Sequence, residues 1–192
     1  IARAKFPSLE IDLCHRIDKS TSGCVLLSKN KKFLRYFHKQ LKDNRVIKKY
    51  EAILIGVLKR DMKIETNIDI STKEHHHKVQ ESKDGKKAVS VFKILKKYNS
   101  FTHAEILIST GRMHQIRVQS SSLNHPIVND KKYGLFSLNK YIARETSISR
   151  LALHASSISF VDLNGLTVSY EAPKNTEFDI LLSELDNLTI KS

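Results

Sequence analysis

The sequence predicts an α+β protein: one large, mostly antiparallel mixed sheet with a few helices packed on it. Three observations carry this. Apolar runs of strand length, alternating or continuous, recur from residue 46 to residue 171. Two of their junctions, Asn99-Ser100 and Asn164-Gly165, are tight-turn dipeptides of the kind that join antiparallel neighbours. Apolar residues at helical spacing are confined to a few segments, the clearest at 31–43 and 176–188.

Residues 1–9 read as a loop, and Leu9 to Ile17 alternates loosely as a strand. Ser20-Thr21-Ser22-Gly23 is turn chemistry, hydroxyls that bond nearby backbone followed by a residue without a Cβ. Cys24 to Leu27 is a short apolar run, so the region reads as strand, turn, strand. Asn30 is placed to cap a helix from Lys31 to Asp43 with a buried stripe of Phe33, Leu34, Phe37 and Leu41. Val46 to Val57 is largely apolar on both faces and predicts a central strand, with Tyr50, Ala52 and Leu54 on one face. Met62 to Ile70 is the next strand, and the polar, charged residues 71–87 are a long loop or hairpin tip.

A hairpin follows, 88–98 with 101–109, in which Thr102, Ala104, Ile106 and Ile108 share a buried face. Thr110 to Arg112 is a turn, and Thr110 is placed to cap a helix over 113–123. Arg117 falls at the edge of that helix's apolar stripe, where a charge needs a partner. Residues 141–145 form a short helix, 151–160 and 166–171 a hairpin, and Thr176 caps a closing helix amphipathic through Phe178, Leu181, Leu182 and Leu185.

The chain has 192 residues and a net charge of +13, enough length for one domain with a real core. Charge is uneven: residues 1–100 carry +13, residues 101–150 carry +4 and residues 151–192 carry −4. Lysine-rich composition alone would scatter charge everywhere; the acidic tail argues instead for a basic surface that meets a polyanion. No apolar run is long enough to cross a bilayer as a helix. Cys14 and Cys24 read as reduced thiols rather than a disulfide framework or a zinc site. His75-His76-His77 lies in the polar stretch, but no carboxylate or cysteine is arranged to complete a shell, so it reads as a surface loop able to meet that polyanion.

The densest chemistry is His15-Arg16-Ile17-Asp18-Lys19-Ser20-Thr21-Ser22-Gly23: an acid, two bases, hydroxyls and a glycine in one short span. If the segment is extended, Arg16 and Asp18 point the same way. By themselves these residues equally describe a turn in which Asp18 pairs with Arg16 or Lys19. The motif resembles the His-Arg-Leu-Asp-x-x-Thr-Ser-Gly signature of the RluA family of pseudouridine synthases. Further family motifs follow in order: Lys48-Lys49-Tyr50-Glu51-Ala52, then Gly111-Arg112-Met113-His114-Gln115-Ile116-Arg117-Val118. His125-Pro126-Ile127 with Asp130 and Tyr133-Gly134 comes next, then Leu151-Ala152-Leu153-His154-Ala155. The likeness is greatest to the RluC-like branch acting on large-subunit ribosomal RNA.

The resemblance implies a pseudouridine-synthase-like catalytic domain over residues 1–192, with more catalytic sequence and a small RNA-binding domain expected before Ile1. It implies isomerisation of uridine in RNA, on 23S ribosomal RNA, by a cytoplasmic monomer with no metal, organic cofactor or membrane. Transfer RNA as substrate, a non-catalytic RNA-binding domain and a metal-dependent RNA hydrolase are the alternatives. Asp18 takes the place of the catalytic carboxylate, which attacks the sugar or the base or removes a sugar proton. Burial disfavours an ionised carboxylate and a guanidinium beside it opposes that, the role implied for Arg117. Tyr50 matches the tyrosine that stacks on the uracil and assists removal of the C5 proton. Arg16 matches the residue that fills the vacated place in the RNA, and Leu153 an apolar neighbour of the base. Arg112 and His114 lie in the substrate-contacting motif. Their alternatives are a structural partner for Asp18 (Arg16), core packing (Tyr50 and Leu153) and local hydrogen bonding (His15, His114 and His154). Ile17, Met113 and Gln119 depart from the family pattern.

Overall fold

The computed structural model describes residues 10–71 and 78–188. Its centre is an eight-stranded sheet built from β2 (Ser22–Gly23), β4 (Ile47–Ile55), β5 (Met62–Ser71), β6 (Lys78–Glu81), β7 (Lys86–Lys97), β8 (Phe101–Ile108), β9 (Leu153–Val161) and β10 (Thr167–Glu171). The order is β10-β9-β4-β8-β7-β5-β6, all antiparallel, and β2 joins β9 in parallel. β1 (Asp12–Leu13) and β3 (Leu27–Ser28) form a separate two-stranded ribbon. The helices are α1 (Lys31–Lys42), α2 (Gln115–Ser122), α3 (Phe136–Thr146) and α4 (Thr176–Glu184).

β4 is central, flanked by β8 and β9, and Ala52 through Ile55 are buried on both faces. That matches its apolar sequence, since a strand covered on both sides has no polar face to keep. The main core joins these residues to Phe92, Phe101 and Ile106 from the neighbouring strands and to Phe178, Leu181 and Leu185 from the closing segment. A second core lies under α1, where Phe33, Phe37 and Phe160 meet with ring centroids 5.1–6.0 Å apart. Asn30 caps α1, its side-chain oxygen accepting from the Phe33 amide at 2.8 Å.

Several expectations fail for identifiable reasons. The strand expected over 9–17 is ordered as strand only at Asp12–Leu13, and Cys24–Leu26 is not strand; the paired residues are instead Ser22 and Gly23. Their partners, His154 and Ala155, are supplied from far along the chain, which local alternation does not register. Within the polar stretch 71–87, Lys78–Glu81 and the start of β7 at Lys86 are strand rather than loop: Val79 pairs with Ile70, and Lys86 with Ile68. An edge strand keeps polar side chains and so escapes a hydrophobic-pattern reading. His75-His76-His77 lies outside the described residues. Thr110 does not cap α2; its hydroxyl bonds Gln115 Oε1 at 2.9 Å, and left-handed His114 (φ 53°) occupies the cap position. Asn175 rather than Thr176 caps α4, accepting from the Phe178 amide at 2.8 Å. The short helix near 141–145 extends over Phe136–Thr146.

Candidate active site

The segment carrying Asp18 is irregular and is held from both sides. The Thr21 amide donates to the Asp18 carbonyl at 3.0 Å, closing a turn through Lys19-Ser20. Beyond it, Ser22 and Gly23 lie against β9, and the Cys24 amide donates to the Ala155 carbonyl at 2.8 Å. Gly23 has φ 111°, and a Cβ there would run into the Ala155 backbone, so this approach requires glycine. Ser22 Oγ and His154 Nδ1 bond at 2.9 Å, and Asn175 donates to Ser22 Oγ at 2.7 Å. His15 Nε2 accepts from the Leu26 amide at 3.0 Å. The two histidines therefore position backbone, as their local-bonding reading has it.

Asp18 opens onto a cavity of about 520 Å³, the size of a small-ligand site. Its lining brings together Arg16, Asp18, Tyr50, Arg112, His114, Arg117 and Leu153, every residue the sequence singled out for the site. Lys42 and Lys48 also line it, and Asp18 is the sole carboxylate among the described lining residues. Such a lining favours an anion.

Arg117 pairs with Asp18 as expected, Nη1 donating to Oδ2 at 3.2 Å. Its stronger partner is Asp130, missed as a site residue although it stands in a quoted motif. Nε and Nη2 of Arg117 each donate to Asp130 at 2.8 Å in a bidentate pair. Asp130 is itself 1% exposed and accepts from the amides of Lys132 and Tyr133 at 2.9 and 3.0 Å. Burial pushes its carboxyl up, but the Arg117 bond and those amides more than offset it and leave it low. Burial likewise works against the charge on Arg117, and Asp130 and then Asp18 more than restore it. The guanidinium is thus locked by one carboxylate and presented to another.

Tyr133 closes this group. Its ring lies 5.1 Å from the Arg117 guanidinium carbon, and its hydroxyl bonds His114 Nδ1 at 2.8 Å. His114 Nε2 stands 3.9 Å from Asp18. Burial, ahead of the opposing pull of Asp18, lowers the His114 pKa, so the ring is neutral at neutral pH.

Tyr50 is 8% exposed on β4. Burial, then the charges of Asp18 and Cys24, pushes its phenol up, which keeps it protonated. Leu153 is buried at the start of β9. Arg16 is exposed and, among the described residues, pairs with no carboxylate, so it is not the structural partner of Asp18. Gln119 lies off the cavity, bonded to Ser90 at 2.6 Å and Thr66 at 3.0 Å, whereas Met113 lines it. Cys14 and Cys24 are free thiols. Among the described residues no three His, Cys, Asp or Glu side chains gather as a metal shell, and no helix is long and apolar enough to cross a membrane.

Comparison with known proteins gives a consistent answer. The Ribosomal large subunit pseudouridine synthase C of Buchnera aphidicola (Baizongia pistaciae) is 40% identical over 152 residues, covering 78% of this chain and 48% of that protein. The protein of the same name from Vibrio cholerae is 36% identical over 151 residues, covering 79% and 47%. This chain therefore spans about half the length of the curated relatives it matches. Among solved structures, Human RNA Pseudouridylate Synthase Domain Containing 1 superposes with a TM-score of 0.74 at 28% identity, covering 93% of this chain and 75% of that one. Human RNA Pseudouridylate Synthase Domain Containing 4, at 23% identity and TM-score 0.76, shares the fold over 96% of this chain and 80% of its own. The family model for RNA pseudouridylate synthase matches residues 2–122, and the chain belongs to that family, as its resemblance to the RluA synthases implied.

Proposed function

We propose that the chain isomerises uridine to pseudouridine in RNA, with large-subunit ribosomal RNA as substrate, using Asp18 and no cofactor. The observation that carries this is a carboxylate at an otherwise cationic cavity, held by a guanidinium that a second, buried carboxylate immobilises. The reaction breaks the uridine N1–C1′ bond and forms a C5–C1′ bond. C5 releases a proton and N1 takes one up, so no oxidant or reductant is required. Asp18 acts on the sugar or the base, and Arg117 holds and aims it.

The target base has to leave its stack, at a cost of a few kcal/mol. Tyr50, kept neutral, suits a stacking platform, with Leu153 as its apolar neighbour. Removing the C5 proton would require Tyr50 to ionise against the push that holds it protonated. Arg16, exposed and without a carboxylate partner among the described residues, suits the residue that enters the gap left in the RNA. The names of the relatives support ribosomal RNA of the large subunit as substrate, and such a substrate places the protein in the cytoplasm.

The test is tritium release from C5-labelled uridine in large-subunit ribosomal RNA transcripts. The parent releases tritium, and Asp18→Asn, still folded and binding RNA, releases none. Release by the Asp18→Asn variant at the parental rate would remove Asp18 from the chemistry. An absence of release by the parent on ribosomal RNA would overturn the proposed activity on that substrate.

A further inference from the structure

Lys48 is a cation that the protein leaves uncompensated. It lies on β4 two residues before Tyr50, on the same face, about 7 Å along the strand. The opposite face is accounted for: Lys49 pairs with Glu105 at 3.6 Å, and Glu51 with His103 at 2.7 Å and Lys174 at 3.3 Å. Lys48 instead turns into the cavity beside Tyr50 and is 7% exposed. No carboxylate among the described residues pairs with it, and the charge that acts on it is the like charge of Arg112. Burial, then Arg112, lowers its pKa to about 8.

The turn before α2 is shaped around this ammonium. A Cβ on Gly111 would stand 2.9 Å from Lys48 Nζ, so the ammonium lies directly against the bare backbone of this turn. Arg112, next in sequence, is tethered through Nε to the Lys87 carbonyl at 3.0 Å, and it too lines the cavity. Two cations held close together at a partly hidden site, with no carboxylate partner among the described residues, are unfavourable in the free state. An anion brought by a ligand removes that cost.

We propose that Lys48 and Arg112 form a subsite for a backbone phosphate of the bound RNA strand, one nucleotide's reach from the Tyr50 platform. This rests on the pseudouridine-synthase reading, in which the strand enters the same cavity. The subsite fixes where the backbone runs relative to the flipped base, and so sets which way the uridine faces Asp18. Phosphate contacts position a nucleic acid without reading its sequence, so Lys48 contributes affinity and register across substrates.

The experiment measures binding of a large-subunit ribosomal RNA transcript over a series of salt concentrations. The proteins are the parent, Lys48→Met and Lys48→Arg, with tritium release by the parent recorded alongside. Loss of one phosphate contact lowers the slope of log affinity against log salt by about one. The expected result is a shallower slope and weaker binding at low salt for Lys48→Met, with the parental slope kept by Lys48→Arg. A purely structural lysine would leave the slope untouched and lower the melting temperature when replaced. An unchanged slope in Lys48→Met, or a lowered melting temperature, overturns the subsite. Binding by the parent that is flat in salt overturns this subsite and the basic RNA surface together. Parental tritium release with equal slopes in all three proteins sinks the subsite alone.

Discussion

Arg117 and Lys48 line one cavity and are almost equally hidden, 9% and 7% exposed, yet the protein treats them in opposite ways. Arg117 has two carboxylates, one of them buried and bidentate, and an aromatic ring against its guanidinium. Lys48 has no carboxylate partner among the described residues and a like charge beside it. Where a cation holds the Asp18 carboxylate still, the fold supplies the counter-charge from its own residues. Where the substrate brings the negative charge, the fold leaves the place open and bears the electrostatic cost in the free state. The first arrangement is preorganised; the second makes binding energy available for positioning.

The contrast is broken most severely at Asp130. Asp130→Asn removes the buried counter-charge of Arg117 and one of its two acceptors, leaving Asp18 as its carboxylate partner, and breaking such a buried pair costs about 3–5 kcal/mol. Urea unfolding is expected to show that loss, with tritium release falling further than stability alone accounts for. A variant of parental stability and activity would mean that Arg117 does not depend on its lock.

The opposite sign is expected at Lys48. The folded state holds this amine at a lower pKa than the unfolded chain, about 8 against 10.5. Below pH 8 both states are charged and the parent bears the full burial cost. Between pH 8 and 10.5 the folded lysine sheds its proton first, so its contribution to stability improves as pH rises. Lys48→Met is therefore expected to be more stable than the parent by about 1–3 kcal/mol at pH 7, with the gap closing towards pH 10.5. Paired urea titrations at pH 7 and pH 10 read this directly. A gap that is absent or grows with pH would show that Lys48 is compensated after all.

The smallest effect is at Arg112, whose assigned bond runs to one backbone carbonyl at an exposed position. Arg112→Met is expected to change unfolding free energy by about 1 kcal/mol or less, while weakening RNA binding at low salt. A larger destabilisation would move Arg112 from the open side of the comparison to the closed one.

The sequence made the sheet and the reacting pair legible unevenly. β7, β8 and α1 announce themselves because each buries a regular face, with periods of two or 3.6 residues, and β4 because its continuous apolar run is covered on both sides. Asp18, Tyr50 and Arg117 were found through motif resemblance; charge pattern alone described Asp18 and Arg16 as a turn pair. Asp130 was quoted in a motif without a role, because its burial against Arg117 is a tertiary fact with no local signature. Lys48 was passed over for a related reason: a lysine on a strand next to another lysine reads as surface charge, and only the fold shows it pointing inward. Residues 14–17 read as strand from their alternation but are not, because this region is ordered by the contact of Ser22 and Gly23 with β9.

That last pairing has a consequence for how the protein is made. Ser22 and Gly23 rest on His154 and Ala155, and the Ser22–His154 bond spans 132 positions of sequence. A ribosome translating at about 5–20 residues per second has therefore produced Asp18 long before the strand that holds its loop exists. Until β9 leaves the exit tunnel, the nascent chain carries Asp18 on an unsupported segment. The Asp18 loop takes its final form only once β9 has joined the sheet beside Ser22 and Gly23.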